Sequence, residues 1–247
     1  MCGIFGTLNQ FIDHPAQVLG DLHHRGPDSH GCLTTGPLSL LHTRLAIQEL
    51  GTGGNQPMQR GRWVLAFNGE IYNHHELRYK FNLCCRSGSD AETLLHLWER
   101  LGVAMLPLLD GMFAFVLFDT VSQQLWLARD QFGQKPLYLW QSGNKLVFSS
   151  ELRALQRHQP LAIKHSALSQ FCQLGYFLPD QTPYQNVRQV RPGHVLCIEA
   201  QTLTQTETCW VPEKVSVRPP IPDTDILKSL ERILTRTVHQ QLDTTDR

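Results

Sequence analysis

The sequence predicts an α+β protein built on antiparallel strands, and three observations lead to this class. Four apolar segments follow one another between residues 111 and 151, separated by short polar links at 120–123 and 142–144, which is typical of an antiparallel meander. Apolar residues at helical spacing follow a capping-box pattern at Ser89-Asp90-Ala91-Glu92, which predicts a helix ending at Gly102. Hydrophobic residues make up 41% of the chain and charged residues 18%, as in globular proteins.

The remaining elements are predicted from local patterns. In chain order they are a short buried strand at 2–8, a helix at 16–24 ending at Arg25-Gly26-Pro27, strands at 38–47 and 62–67, a helix over 166–175, and a turn at 191–194 before the strand VLCIEA. The strand at 62–67 runs into Asn68-Gly69, a turn dipeptide, so we expect the chain to turn there.

Composition excludes several classes of protein. Twenty-two basic residues balance 22 acidic ones, which argues against a nucleic-acid partner. The longest purely apolar run, residues 112–118, is too short to span a membrane, and the N-terminus lacks the pattern of a secretion signal. The seven cysteines are irregularly spaced without a CxxC pair, which favours a reduced, cytoplasmic protein. The 12 histidines lack metal-site spacing, so we expect no metal.

A boundary is predicted near the C-terminal end. Residues 217–225, VRPPIPDTD, are typical of a stiff, extended linker, and an amphipathic helix follows. A single helix behind a linker has little to pack against. We therefore expect one domain over 2–212, a proline-rich linker over 213–224, and the first helix of a further domain over 225–247.

The second residue of the chain is a candidate nucleophile. Removal of Met1 would give Cys2 both a thiol and a free α-amine, and such an amine has a pKa of about 7.7–8.0, low enough to act as a general base near neutral pH. A cysteine at this position also occurs by accident, so the hypothesis needs further residues.

Three other groups of residues are of the types expected in a site that binds an amino acid. The Asn68 amide and the Gly69 N–H are donors suited to an oxyanion, although an ordinary turn has the same sequence. Arg44 lies in an apolar strand and should meet a carboxylate, either of the protein or of a substrate. Asp90 at a helix start suits the helix dipole, but it would also bind an ammonium group.

These residues belong to stretches that resemble the class II glutamine amidotransferases, and most closely the glutamine-hydrolysing asparagine synthetases. The resemblance covers most of residues 2–155, in the family's order, and RPGH (191–194) extends it. The matching stretches are CGIFG (2–6), HRGPDSHG (24–31), LHTRLAI (41–47), NQPM (55–58), FNGEIYN (67–73), SGSDAETLL (87–95), LLDGMFAFVLFD (108–119), LARDQFGQKPLY (127–138) and FSSELRAL (148–155).

The resemblance implies a fold and a site. The fold would be the four-layer αββα sandwich of N-terminal-nucleophile hydrolases, with antiparallel sheets. Cys2 would attack the glutamine side-chain amide, and Asn68 and Gly69 would hold the oxyanion. The implied glutamine-binding residues are Arg44, Leu45, Ala46, Ile47, Gln48, Asn68, Gly69, Glu70 and Asp90, and the loop at 24–28 would shape the pocket.

The resemblance also implies partners. The glutaminase half needs no cofactor, whereas ATP and Mg²⁺ would act in a synthetase domain whose SGGxDS loop is missing from this chain. The chain would supply ammonia to that domain, most plausibly for asparagine synthesis from aspartate. Two alternatives stay open: a non-catalytic glutamine-binding or regulatory module, and a glutaminase half for another acceptor in polysaccharide or natural-product biosynthesis. A homo-oligomer is also compatible with the sequence. Gln134 stands where the family usually has an apolar residue, and we expect little consequence.

Overall fold

The computed structural model describes residues 1–211 and 223–242. The strands are β1 (Gly3–Leu8), β2 (Ser29–Thr35), β3 (Leu38–Arg44), β4 (Met58–Arg60), β5 (Trp63–Ile71), β6 (Gly111–Asp119), β7 (Gln124–Arg129), β8 (Tyr138–Ser142), β9 (Lys145–Ser149), β10 (Val187–Gln189), β11 (His194–Glu199) and β12 (Gln205–Cys209). The α-helices are α1 (Pro15–Leu22), α2 (His74–Lys80), α3 (Asp90–Leu101), α4 (Leu152–His158), α5 (His165–Leu174) and α6 (Asp223–Gln241).

The strands form two antiparallel sheets of six strands each. The first has the order β10-β8-β9-β1-β3-β2, and the second has the order β12-β11-β7-β6-β5-β4. Side chains alternate between the faces of each strand, so one strand contributes to two different cores. In β1, Ile4 faces the second sheet whereas Phe5 belongs to the outer core under α1 and α4.

Three hydrophobic cores define the layers. The central core lies between the sheets and combines Leu38 and Leu40 of β3 with Val64 and Ala66 of β5. A second core packs α2 and α3 on the outside of the second sheet, and a third packs α1 and α4 on the outside of the first. The order helix, sheet, sheet, helix is the four-layer αββα sandwich, so the predicted fold is confirmed.

The expected meander is wrong in one respect. The segments at 111–151 form two hairpins, β6-β7 and β8-β9, which belong to different sheets. The loop between the hairpins folds around Asp130, whose carboxylate accepts hydrogen bonds from the N–H groups of Phe113, Gln134 and Lys135. This loop carries the chain from one sheet to the other.

The turn expected at Asn68-Gly69 is also wrong. β5 continues to Ile71, and Asn68 and Gly69 pair with Ala114 and Phe113 of β6. A Cβ on Gly69 would lie 2.2 Å from the carbonyl oxygen of Met112, so the two strands approach closely only because this residue is glycine. Pairing with β6 overrides the local turn preference.

The strand predicted over 38–47 ends earlier, at Arg44. The helix predicted after Ser89 is confirmed as α3, and it ends at Gly102 with φ +55°. The Ser89 side chain makes no capping hydrogen bond; instead Glu92 accepts from the N–H groups of Arg86 and Ser87.

The C-terminal helix predicted from the sequence is present as α6. Its apolar residues are exposed, and they are Ile226, Leu227, Leu230, Ile233, Leu234 and Val238. Apart from the first residues of α6, the predicted linker lies outside the described residues. Over the described ranges, no helix has the length and apolar character needed to cross a bilayer.

Candidate active site

A pocket lies where the start of β1 meets the end of β5 and the N-terminus of α3. Its walls bring together nearly all the residues that the sequence analysis proposed, namely Cys2, Arg44, Leu45, Ile47, Gln48, Asn68, Gly69, Glu70 and Asp90. Ala46 is the exception: it does not line the pocket, and its N–H donates to the carboxylate of Asp28 at 2.8 Å. The predicted loop at 24–28 therefore holds the chain segment around Ala46, whose neighbours Leu45 and Ile47 form part of the pocket wall.

Cys2 immediately precedes β1, and its position is fixed from both sides. Its thiol lies 3.8 Å from the Leu45 carbonyl oxygen, to which it donates. The buried Arg25 donates to the Cys2 carbonyl oxygen at 2.9 Å and binds Glu151 at 2.6 Å. This loop arginine therefore holds the main chain of residue 2 in place.

The charge state of the thiol depends on its surroundings. Burial raises the pKa of the Cys2 thiol, and the Leu45 hydrogen bond and the nearby N-terminal ammonium only partly oppose this. The thiol is thus the resting form, and a nucleophilic attack needs a base. Burial also lowers the pKa of the N-terminal amine, which here belongs to Met1, and Lys135 and Arg25 lower it further. An amine with a lowered pKa is more often neutral and can accept a proton.

The edge of β5 provides a backbone donor. β4 pairs with β5 only as far as Leu65, so the strand edge beyond that residue has no neighbour among the described strands. The N–H of Phe67 donates to the Gln56 amide oxygen at 2.6 Å, and the N–H of Ile71 donates to Asp90 at 3.0 Å. Alternate residues direct their N–H groups to the same edge. The N–H of Gly69 therefore faces the pocket between these two bound groups.

Asn68 provides a second donor beside it. The residue is fully buried, and neither its amide nitrogen nor its amide oxygen has a hydrogen-bond partner in the described structure. Buried polar atoms are nearly always hydrogen-bonded, and an unpaired one costs roughly 1–3 kcal/mol. The buried amide of Asn68 is therefore available to hydrogen-bond a ligand in the pocket.

Arg44 lies at the end of β3 with its side chain buried. The guanidinium donates to the carbonyl oxygens of Gly51 at 2.8 Å and of Glu49, and to the Asn55 amide oxygen at 2.9 Å. A Cβ on Gly54 would touch the guanidinium, so this loop closes tightly around it. None of the carboxylates in 1–211 or 225–242 forms an ion pair with Arg44, so the described residues do not supply the protein carboxylate that was one of the two partners left open by the sequence. Its positive charge faces the pocket with two N–H donors left over.

Asp90 supplies a negative charge at the opposite wall. Its carboxylate accepts from Ile71 N–H and from Ala91 N–H at 2.9 Å. Burial raises the pKa of Asp90 to about 7, and the neighbouring Glu70 adds to the rise. Glu70 itself accepts from the Gln48 amide at 2.9 Å. A cationic group bound here would return Asp90 to its ionised form.

Several pocket residues were missed by the sequence analysis. Lys135 lines the pocket with 5% of its surface exposed, and burial lowers the pKa of its ammonium. Gln56 and Met112 also line it. Lys135 belongs to the matched stretch LARDQFGQKPLY, which was the available signal, but nothing in its spacing indicates that the Asp130 loop returns to Cys2.

Comparison with known proteins agrees with the geometry. The family model described as a glutamine amidotransferase domain matches residues 1–210. A putative glutamine-hydrolysing asparagine synthetase of Methanocaldococcus jannaschii is 32% identical over 214 residues, 75% of this chain and 42% of the relative. The glutamine-hydrolysing asparagine synthetase of Zea mays is 44% identical over 165 residues, 63% of this chain and 28% of the relative.

Solved structures show the same fold. Glutamine phosphoribosylpyrophosphate amidotransferase of B. subtilis superimposes with a TM-score of 0.62 at 23% identity, covering 85% of this chain and 49% of that one. The chain spans less than half the length of these curated relatives. With the family model matching residues 1–210, the chain belongs to the glutamine amidotransferase domain family.

Proposed function

We propose that this chain hydrolyses the side-chain amide of L-glutamine to glutamate and ammonia through a thioester on Cys2. The observation that carries the proposal is the fully buried Asn68 amide, which has no hydrogen-bond partner in the described structure and lines the same pocket as Cys2. Asn68 and the N–H of Gly69 are the two donors that a tetrahedral oxyanion needs, and this type of stabilisation is usually large.

The reaction proceeds as an acyl transfer in two stages. The amine accepts the Cys2 thiol proton as the sulfur attacks the amide carbon, and the C–N bond breaks as that proton passes to the departing ammonia. Water then adds to the thioester carbon, the C–S bond breaks, and glutamate leaves with the thiol restored. The α-amine of Cys2 serves as the base once Met1 is removed, and Met1 is accessible to a peptidase because half of its surface is exposed.

The two ends of glutamine match the charges of the pocket. Arg44 binds the α-carboxylate with its remaining donors, and Asp90, supported by Glu70, binds the α-ammonium. Leu45, Ile47 and Gln48 contribute one wall of the binding site. Both charged groups come from rigid element ends, the end of β3 and the start of α3, so the distance between them selects for a free amino acid.

The ammonia acceptor belongs to an ATP-dependent synthetase domain, with ATP and Mg²⁺ bound there. Asparagine synthesis from aspartate is favoured because the relatives above carry that name and extend well beyond the matched region. The exposed apolar face of α6 supports contact with a further domain. We place the reaction in the cytoplasm, where the seven cysteines, all unpaired, would stay reduced.

The test measures glutamate release from glutamine by the purified chain at neutral pH without ATP. Cys2→Ala should abolish release and retain glutamine binding, whereas Cys32→Ala, which changes an exposed cysteine, should leave release unchanged. A glutamine-analogue alkylator should add one mass increment to the wild-type chain and none to Cys2→Ala. Glutamate production by Cys2→Ala would overturn the proposal. Glutamine binding without release by a chain whose intact mass shows Met1 removed would support the non-catalytic binding module instead.

A further inference from the structure

A second group of reactive side chains lies along α3, and the proposed reaction uses none of them. Cys85 precedes the helix, and Glu92 and His96 lie one turn apart on it. One ligand atom of each, the sulfur, a carboxylate oxygen and an imidazole nitrogen, lies within 4.8 Å of the other two. Among the residues described, this is the only such group of three.

His96 carries an atom without a partner. The residue is only 6% exposed, and its Nε2 has no hydrogen-bond partner within the described ranges. The nearest carboxylate oxygen, Oε1 of Glu92, lies 3.7 Å away, too far for a hydrogen bond. A buried imidazole nitrogen directed at a carboxylate and a thiol without bonding to either is the arrangement of a metal ligand in its metal-free form.

Glu92 is fixed in the orientation that such a site requires. Its Oε1 accepts from the N–H of Arg86 at 2.9 Å, and its Oε2 accepts from the N–H and the hydroxyl of Ser87 at 2.7 and 2.6 Å. Donors that orient a ligating carboxylate are a regular feature of metal sites, because they reduce the freedom lost on binding. Oε1 keeps a lone pair on the side of His96.

We propose that Cys85, Glu92 and His96 bind Zn²⁺, with a water molecule as the fourth ligand. Thiolate, imidazole and carboxylate are the ligand types that zinc takes, at about 2.0–2.3 Å in tetrahedral geometry. Tetrahedral ligands at those distances are about 3.4–3.7 Å apart, so the side chains close by about 1 Å through rotation. Zinc displaces the proton of the Cys85 thiol, which passes to solvent.

The surrounding charge tolerates the ion. Arg78 lies close to the cluster, and its guanidinium is held by Thr93 Oγ1 at 2.7 Å and by the carbonyl oxygens of Ser87 and Ser89. The metal-free site carries the single negative charge of Glu92, and zinc binding with loss of the thiol proton adds one positive charge. The zinc site with one thiolate and one carboxylate is therefore neutral overall, so it does not repel the arginine.

The sequence analysis expected no metal because histidines and cysteines lack finger spacing. Here the ligands come from a loop and from one turn of a helix, and only folding brings them together. The site would join the segment before α3 to the helix. Gly88 in that segment donates to Glu49 at 2.7 Å, and the Glu49 carbonyl accepts from Arg44, so the ion would also steady the loop that holds Arg44.

The test titrates Zn²⁺ alone into the full chain carrying Cys2→Ala, which removes the pocket thiol as a competing ligand. We expect one zinc per chain and a rise in the thermal unfolding midpoint. Cys85→Ser and His96→Gln should each lose at least about 100-fold in zinc affinity. Cys84→Ser, which changes the exposed neighbouring thiol, is the matched control and should bind as the parent does.

Co²⁺ provides a second, spectroscopic readout, whose first part needs only the parent chain. The parent chain should show a thiolate-to-cobalt charge-transfer band, and folded Cys85→Ser, checked by circular dichroism, should lack it. Absence of stoichiometric zinc binding by the folded parent would overturn the proposal. Equal losses in Cys84→Ser and Cys85→Ser, or an unchanged affinity in His96→Gln, would do so as well.

Discussion

Two asparagines of one segment should have opposite roles, and their comparison tests the proposed oxyanion site. Asn68 is buried with both amide atoms unpaired among the described residues. Asn73, five positions later, donates to the Leu108 carbonyl at 2.9 Å and accepts from the Asp110 N–H at 3.0 Å. Replacing each with alanine removes the same side-chain amide, once where it is unpaired and once where it makes two hydrogen bonds.

The expected magnitudes follow from these contacts. Asn68→Ala removes an oxyanion donor worth on the order of 3 kcal/mol, which at 1.36 kcal/mol per factor of ten is about a 150-fold loss in kcat. It breaks no hydrogen bond made among the described residues, so the free energy of unfolding should change by less than about 1 kcal/mol. Asn73→Ala loses two hydrogen bonds at about 1 kcal/mol each, so it should lower the free energy of unfolding by about 2 kcal/mol with kcat unchanged.

The assay combines glutamate release at saturating glutamine with urea unfolding of the same samples. The contrast between the variants matters more than either value alone, since a general disturbance of the segment would reduce both quantities together. A kcat for Asn68→Ala within a few-fold of the wild type would refute the oxyanion role. So would a loss of stability in Asn68→Ala as large as that in Asn73→Ala.

Three further predictions concern the pocket. Arg44→Lys replaces a planar guanidinium by an ammonium point charge. The KM for glutamine should rise about ten- to a hundred-fold with a smaller change in kcat. An unchanged KM would exclude the contact between Arg44 and the glutamine α-carboxylate. Burial raises the pKa of Asp90 from 3.8 to about 7, so the folded state holds this proton more tightly than the unfolded chain. The Asp90 contribution to stability is then complete below about pH 4 and is lost as the pH rises toward 7. Asp90→Asn should flatten the stability profile in that window, and the wild-type KM for glutamine should fall as the pH rises through about 7. Gly69→Ala places a Cβ 2.2 Å from the Met112 carbonyl oxygen and should destabilise the fold by at least about 1–3 kcal/mol in urea unfolding. Gly20→Ala is a control outside the pocket, in α1; no described atom lies within 4 Å of the added Cβ, and the change should instead stabilise the fold by about 0.5–1 kcal/mol.

Elements with strong local signals could be predicted from the sequence. The helix after Ser89 and its end at Gly102 depend on residues within one turn of each terminus, and both were predicted correctly. Five candidate site residues were chosen by chemical type and the others by the family resemblance, and the fold brings all but Ala46 to one pocket. Their roles in the reaction stay predictions.

Elements that depend on distant partners could not be predicted. Asn68-Gly69 has a turn sequence, but nine registered pairs between β5 and β6 outweigh the local preference. The division of 111–151 between two sheets depends on Asp130, which organises its loop through several backbone N–H groups. Neither hydrophobic periodicity nor turn composition contains information about such a loop.

The pocket is a consequence of how the two sheets face each other. His42 of β3, in the first sheet, donates through Nε2 to the Phe67 carbonyl oxygen of β5 in the second at 3.0 Å. Burial lowers the pKa of His42 to about 4, so the ring stays neutral near pH 7 and the bond between the sheets persists. Since β3 is the neighbour of β1, this bond fixes the distance between the start of β1 and the open edge of β5. Cys2 and the donors of Asn68 and Gly69 are far apart in sequence, and they meet because the central core and this hydrogen bond hold the strands beside them together.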